Sequence, residues 1–293
     1  MSQTSADQAK APFVQVLGIA QDGGYPQAGC QRPCCVAAWE ALERRRAVAA
    51  LGIVDPSSGE SWLIDATPDF PEQLATLQQA GGQKLSGILL THAHIGHYTG
   101  LIYLGKEAMA TRQLPVYAMP RMQEFLSENQ PWRMLCESQH LELNGLSAQN
   151  SQSLNERIQV TPVLVPHRAE FSETVGLVIR GPSQCVLWLP DIDCWDAGST
   201  SLEQLLEQVD VAYIDGTFFD GDELVGRSLQ DVPHPTVLQT LERLASLPES
   251  ERAKVRFVHL NHTNPLLDPT STAAATVEQA GCQVARQGEQ ELL

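Results

Sequence analysis

Short uninterrupted apolar runs alternate along this chain with stretches whose apolar residues recur every three or four positions. The runs at residues 13–19, 49–54, 61–64, 87–90, 160–165, 175–179, 186–189, 211–214 and 255–258 have the length and composition of strands. Helical spacing occupies residues 36–46, 71–79, 202–208, 236–247 and 272–280. Between them, Asp55-Pro56-Ser57-Ser58-Gly59-Glu60 predicts a hairpin connection, and Gln21-Asp22-Gly23-Gly24-Tyr25-Pro26 predicts a loop forced open by glycine and proline. This alternation predicts a mixed α/β architecture with packed sheets and outer helices. No fixed-period repeat or low-complexity tract divides the chain, so the simplest organisation is a flexible tail over residues 1–12 and one domain over residues 13–293.

Composition narrows the function classes. With 293 residues, 43% of them hydrophobic, the chain can bury one large core or two halves of a layered domain. Its formal net charge of −16 argues against nucleic acid as a bulk partner, because phosphate binding rests on clustered Lys and Arg. The first twelve residues hold no basic segment followed by an apolar stretch, and no run approaches bilayer length. The expectation is a cytoplasmic, soluble protein that meets a small-molecule substrate and neither nucleic acid nor membrane, with a homodimer left open. Seven unevenly spaced cysteines fit a reducing compartment better than a disulfide framework.

Chemistry concentrates in Leu90-Thr91-His92-Ala93-His94-Ile95-Gly96-His97, directly after an apolar run. Histidines at i and i+2 on an extended segment project to one side, and a third at i+5 can close on a neighbouring position where the chain turns. That is the shape of a metal site. His167, Asp191 and His259 each follow or close a predicted strand. Any one of them could be a turn or cap group, but several strand ends at one sheet edge can converge on a cavity.

The ordered set resembles the metallo-β-lactamase superfamily over nearly the whole chain. The resemblance implies a four-layer αββα sandwich with a metal cluster at one edge of its two sheets. The family motif His-x-His-x-Asp-His, a distant His, an Asp and a final His fall here on His92, His94, His97, His167, Asp191 and His259. By that resemblance His92, His94 and His167 hold a first metal, His97 and His259 hold a second, and Asp191 bridges them. Asp65 matches the family's early strand-end acid, and with Asp215 it is expected to orient ligands from behind. Gly96 stands where the family carries Asp, which leaves the second position His97, His259 and Asp191. That set serves tetrahedral zinc with a bridging hydroxide, and it also matches the two-histidine, one-carboxylate set of non-haem Fe(II) oxygenases.

Two subgroups share further motifs. Gly18-Ile19-Ala20-Gln21-Asp22-Gly23-Gly24-Tyr25-Pro26-Gln27 with Cys30, Tyr213-Ile214-Asp215-Gly216-Thr217-Phe218, and His259-Leu260-Asn261-His262-Thr263-Asn264-Pro265 look like the PQQ-biosynthesis B proteins. The same N-terminal region resembles the cyclic phosphodiesterases of phosphonate breakdown, which hold a structural zinc through an N-terminal cysteine cluster and a histidine three residues beyond the last active-site ligand. Carried over, that zinc would use Cys30, Cys34, Cys35 and His262. The subgroup spacing is Cys-x-Cys-x-x-Cys, whereas this chain has Arg32 in the middle and Cys34 added, so two adjacent thiols must share an ion across a sharp turn that Pro33 helps to set. The alternative is reduced cysteines packed in a loop. His234 resembles the histidine that precedes a late helix and serves the leaving oxygen in phosphodiesterases of the superfamily, the alternative being a helix-entry residue exposed to water. His140 has no such context.

These resemblances imply a metal-dependent hydrolase acting on a small ester, lactone or phosphodiester through a metal-bound hydroxide, with Asp191 and His234 as its catalytic groups. One or two zinc ions are expected in the active site and one in the cysteine cluster. The alternative is an iron-dependent oxygenase or maturation enzyme of PQQ biosynthesis, and a second alternative is a non-catalytic metal-binding protein.

Overall fold

The computed structural model describes residues 11–196, 201–223 and 232–293. Most of the expected tail, residues 1–10, lies outside them. The first half of the chain builds one sheet from β1 (Phe13–Gly18), β2 (Ala50–Asp55), β3 (Glu60–Ile64), β4 (Lys84–Leu89), β5 (Leu114–Ala118) and β6 (Leu141–Gly145) in spatial order. The second half repeats the plan with β7 (Gln152–Ser153), β8 (Gln159–Leu164), β9 (Val175–Arg180), β10 (Cys185–Leu189), β11 (Val211–Asp215), β12 (Val255–Val258) and β13 (Gln283–Val284). The last strand, β14 (Gln290–Leu292), returns to pair antiparallel with β1. Both sheets are mixed, with antiparallel hairpins β1–β2–β3 and β7–β8–β9–β10 leading into parallel runs β3–β4–β5–β6 and β10–β11–β12–β13.

The continuous apolar runs have a direct structural cause. Side chains alternate across a strand, and here both faces of the central strands are covered. Leu51, Ile53, Trp62, Ile64 and Leu89 join Val160, Leu177, Val186 and Trp188 in the core shared with the second sheet. Their sequence neighbours Ala50, Val54, Leu63, Ile88 and Leu90 face the other way, into a core closed by helices of the first half. Of these, α2 (Phe70–Gln79) supplies Phe70, Leu74 and Leu77, α4 (Pro120–Glu128) supplies Met122 and Leu126, and α5 (Trp132–Glu137) supplies Leu135, while α1 (Pro33–Glu40) and α3 (Ile95–Tyr98) lie beside the loops described below. Against the second sheet pack α6 (Leu202–Leu206), α7 (Val237–Leu244) and α9 (Thr272–Gln279), with α8 (Glu249–Arg252) in the connection. Two mixed sheets flanked by helices therefore make the α/β sandwich expected from the sequence.

The helix expected over residues 36–46 is broken. α1 ends at Glu40, Ala41 is extended (φ −127°, ψ 110°), and a 3-10 turn covers Leu42–Arg44. The chain has to leave the helix there, because Arg46 exchanges backbone hydrogen bonds with Tyr25 at 2.8 and 3.1 Å. In contrast, α6 and α7 begin at capping boxes, in which Ser201 and Thr236 accept from the backbone of Gln204 and Gln239 and the glutamine side chains bond back.

Candidate metal centre

Functional side chains sit where strands hand over to loops at one edge of the sandwich. Asp65 follows β3, His92 follows β4, Asp191 follows β10 and His259 follows β12, while Asp215 ends β11. Asp65 and His259 have left-handed backbone, φ 68° and 64°, a conformation that costs non-glycine residues energy and turns the chain sharply off the strand end.

Two donor sets meet in this edge and share one carboxylate. The first is His92, His94, His167 and Asp191. His92 Nε2 lies 2.9 Å from His94 Nδ1, His167 Nε2 lies 3.2 Å from the same atom, and the Asp191 carboxylate is 3.4 Å from His92 and 3.6 Å from His167. The second set is Asp22, His97, Asp191 and His259. Asp22 Oδ1 is 3.2 Å from His97 Nε2 and 3.5 Å from His259 Nε2, and Asp191 Oδ2 is 3.3 Å from both rings. Ligands about 2.05 Å from a tetrahedral ion stand ~3.3 Å from one another, which is the spacing seen in both sets.

The donor atoms also test whether an ion fits. Asp22 Oδ1, His97 Nε2, Asp191 Oδ2, His259 Nε2 and His234 Nε2 are buried with no hydrogen-bond partner among the described residues. Buried polar atoms are normally satisfied, and four of these five aim at one point without aligning on each other. Three carboxylates, Asp22, Asp65 and Asp191, surround His97. Burial opposes a charge on that ring, but the carboxylates outweigh it and hold its pKa well above the usual histidine value. The position calls for a cation. Burial lowers the pKa of His92 and His94, which favours the neutral, ligating form of imidazole, while the rings led by His259, His167 and His97 overcome burial and hold Asp191 well below the usual carboxylate range.

Behind the donors, each ring is fixed by an oxygen on its far side. Asp65 bonds His97 Nδ1 at 2.8 Å, and Asp193 bonds His167 Nδ1 at 2.8 Å. Thr217 holds His259 Nδ1 at 3.0 Å, and Glu170 stands 3.5 Å from His94 Nε2. The Thr91 hydroxyl carries one proton; donating it to Asp65 leaves its oxygen to accept from His92 Nδ1 at 3.0 Å. Such outer contacts set ring orientation and tautomer. Thr91 and Thr217 lie inside motifs that give them no role of their own, and Asp193 and Glu170 are loop residues without a signal in the sequence.

His234 is not the water-exposed helix-entry residue that was its alternative. It is 4% exposed, its Nδ1 is 2.7 Å from Asp215 Oδ2, and its ring centroid is 5.6 Å from that of His167. Asp215 is itself held by the backbone N–H groups of Ile192 and Thr217. Burial disfavours a charge on His234, but Asp215 and Asp191 push its pKa up to about 9. His140 bonds the Thr111 carbonyl at 2.8 Å, away from this edge. A cleft of about 680 Å³ beside Arg45, Arg46 and Arg286 shares no lining residue with the histidine edge, so donor chemistry and not volume marks the site.

Asp22, absent from the ligand count made on the sequence, stands against Gly96. A Cβ at residue 96 would lie 2.4 Å from Asp22 Oδ1. The loop that carries Asp22 leads to Cys30, Cys34 and Cys35, which gather with His262. Cys34 and Cys35 lie in the first turn of α1, after Pro33 at its start, and both thiols reach the His262 ring although adjacent helical positions point about 100° apart. Their Sγ atoms are 3.6 and 3.3 Å from His262 Nδ1, and Cys30 Sγ is 3.9 Å from Cys34 Sγ. These are again the edges of a small tetrahedron, since ligand sulfurs ~2.3 Å from an ion stand about 3.8 Å apart.

Fold and donor sets define a metallo-β-lactamase-type domain, and the chain belongs to that superfamily: the Beta-lactamase superfamily domain matches residues 61–273. Among its relatives, Coenzyme PQQ synthesis protein B of Xanthomonas campestris pv. campestris (strain B100) is 27% identical over 301 residues, covering 93% of this chain and 97% of the relative. The protein of that name from Methylobacterium sp. (strain 4-46) is 28% identical with the same coverage. Zn(2+)-bound PqqB from Methylobacterium extorquens superposes with TM-score 0.78 at 23% identity, over 96% of this chain and all (100%) of the other. A diphosphatase of the PhnP family gives TM-score 0.66 at 21% identity, over 96% and 97% of the two chains. At these identities the structural likenesses speak for the fold. No helix among the described residues is long and apolar enough to cross a membrane.

Proposed function

We propose that this chain is a metal-dependent hydrolase that cleaves a small ester, lactone or phosphodiester. The observation that carries this reading is the pair of donor sets joined at Asp191, with four buried donor atoms around one point left without a hydrogen-bond partner among the described residues. Ions bound there would lower the pKa of a water and polarise the scissile carbonyl or phosphoryl oxygen. Asp191 spans both positions and fixes their separation. Asp65, Thr91, Asp193 and Thr217 keep the rings from turning, so the donors are in place before substrate arrives. His234 Nε2 is buried, without a hydrogen-bond partner among the described residues, and backed by Asp215, so it can hand a proton to a leaving oxygen.

A second reading is supported by the similarity to Coenzyme PQQ synthesis protein B over nearly the full length of both chains. In it, the same edge holds iron and serves an oxygen-dependent or maturation step of PQQ biosynthesis. Elemental analysis of protein purified without added metal, followed by an ester, lactone and phosphodiester panel and by oxygen-uptake assays, separates the two. Zinc with hydrolytic turnover supports the hydrolase, whereas iron with oxygen uptake and no hydrolysis overturns it. His234→Ala is expected to keep its metal and lose ~10²- to 10⁴-fold in turnover. Unchanged turnover removes His234 from the reaction.

A further inference from the structure

The superfamily motif places a carboxylate one residue before His97, and this chain has Gly96 there. We propose that Asp22, from the loop after β1, supplies the missing carboxylate to the second metal position, and that residue 96 is glycine because Asp22 occupies the space its side chain would need. This inference rests on the metal-centre reading above and specifies one of its ligands.

Three observations carry it independently of the motif. Asp22 Oδ1 stands 3.2 and 3.5 Å from the two ring nitrogens that share Asp191 with it, and it is buried without a hydrogen-bond partner among the described residues. A carboxylate there only to pair with His97 would align on that ring. Next, the exclusion is steric and mutual. A Cβ at residue 96 would lie 2.4 Å from Asp22 Oδ1 and 2.8 Å from Asp22 Cα, and the second contact is with backbone that cannot swing aside. Even alanine at 96 displaces Asp22. Finally, the loop is held to the other ligand. Ala20 bridges Leu260, with Leu260 N–H donating to Ile19 O at 2.7 Å and Gln21 N–H donating to Leu260 O at 2.9 Å. The residue before Asp22 is thus hydrogen-bonded to the residue after His259, so the β1 loop and the β12 end arrive as one unit.

The consequence concerns the metal. With Asp22 the second position has two imidazoles and two carboxylates, Asp191 being shared with the first, so the protein supplies four donors and a water would bind by expansion to five-coordination. Without it, the position has two imidazoles and one carboxylate with the remaining positions free, the arrangement of non-haem iron oxygenases. Asp22 therefore moves the second position toward the zinc-type set.

The test counts metal directly. Wild type, Asp22→Asn, Gly96→Ala, His92→Ala and the exchange variant Asp22→Gly/Gly96→Asp are loaded with zinc and analysed for bound equivalents and by competition with a chromophoric chelator. Thiol-bound zinc in the cysteine cluster, released by a mercurial, and the melting temperature report that each variant is folded. Asp22→Asn, which preserves shape, and Gly96→Ala are each expected to lose one equivalent or to weaken it more than about 100-fold, beyond the 10- to 100-fold typical of an outer contact. The exchange variant is expected to regain it. Asp22→Asn holding its full complement at unchanged affinity overturns the inference if His92→Ala has lost metal; if His92→Ala keeps it too, the metal-centre reading falls first.

Discussion

The histidine edge and the cysteine cluster both gather donors at tetrahedral spacing, but they are assembled in opposite ways. At the histidine edge the donors come from several strand ends of two packed sheets, most are buried, and each ring is fixed from behind by an oxygen. In the cysteine cluster three thiols fall within one short loop and the first turn of α1, and two of the three are partly exposed. Their surroundings hold the backbone more than the sulfurs. Tyr25 Oη donates to Cys34 O and Trp39 Nε1 donates to Cys30 O, while the sulfurs of Cys35 and Cys30 meet only backbone, the Gln27 N–H and the Arg32 main chain, among the described groups outside the cluster. The fold thus prepares the histidine edge, whereas an ion in the cysteine cluster would itself complete the structure around it. One arrangement suits chemistry that needs fixed donors, and the other suits a clasp.

The sharpest way to break this comparison is to loosen the preorganisation. Asp65→Ala removes the partner of His97 and also the acceptor of Thr91, which in turn holds His92, so one change frees rings in both donor sets. A loss of ~10- to 100-fold in metal affinity or turnover is expected, measured by chelator competition and by rate on whichever ester or diester proves to be a substrate. An unchanged affinity would mean that the rings are held by the ion and not by the protein. The smaller complement is Cys34→Ala. It should lower the melting temperature of zinc-loaded protein by at least ~4 °C while turnover per folded molecule changes less than about threefold. Lost turnover at an unchanged melting temperature would put the cluster in the chemistry.

The same contrast explains what was legible from the chain. Central strands such as β3, β10 and β11 read clearly because burial on both faces makes their positions apolar, apart from Glu60 and Ser61 where β3 begins and Asp215 where β11 ends. The sequence reading assigned no element to residues 101–159, where β5 carries Pro115 and is half-buried at alternate positions, and where β6 is an edge strand with Glu142 and Asn144 outward. An edge strand packs on fewer neighbours and leaves a weaker apolar pattern. At the site, His92, His94 and His97 were visible because their residue type is rare and clustered. Asp22 was quoted within a motif without a role, because an aspartate between Gln21 and Gly23 looks like loop chemistry until the fold brings it against Gly96. Asp193 is likewise an ordinary loop residue whose meaning is a distance, and Thr217, inside the motif over residues 213–218, has no role until its hydroxyl meets His259.

The gentlest probe of the comparison is the order in which the cluster's thiols react once metal is removed. Burial raises Cys35 to about 12, and burial with the neighbouring Cys30 raises Cys34. At Cys30, burial is outweighed by its hydrogen bond with the Arg32 backbone and the neighbouring thiols, so its pKa falls below the usual thiol value. Alkylation follows the thiolate fraction, which at a given pH is greatest for the lowest pKa. Near pH 8, metal-free protein should therefore alkylate at Cys30 first, Cys34 next and Cys35 last, as read by peptide mass spectrometry over time. Zinc should slow all three together, because each sulfur would then be a ligand. Cys35 reacting as fast as Cys30 would mean that the loop opens when the ion leaves, and that the cluster depends on its metal for shape even more than its geometry implies. Retention of the order would show that α1 and the Tyr25 contact already set the clasp before metal binds.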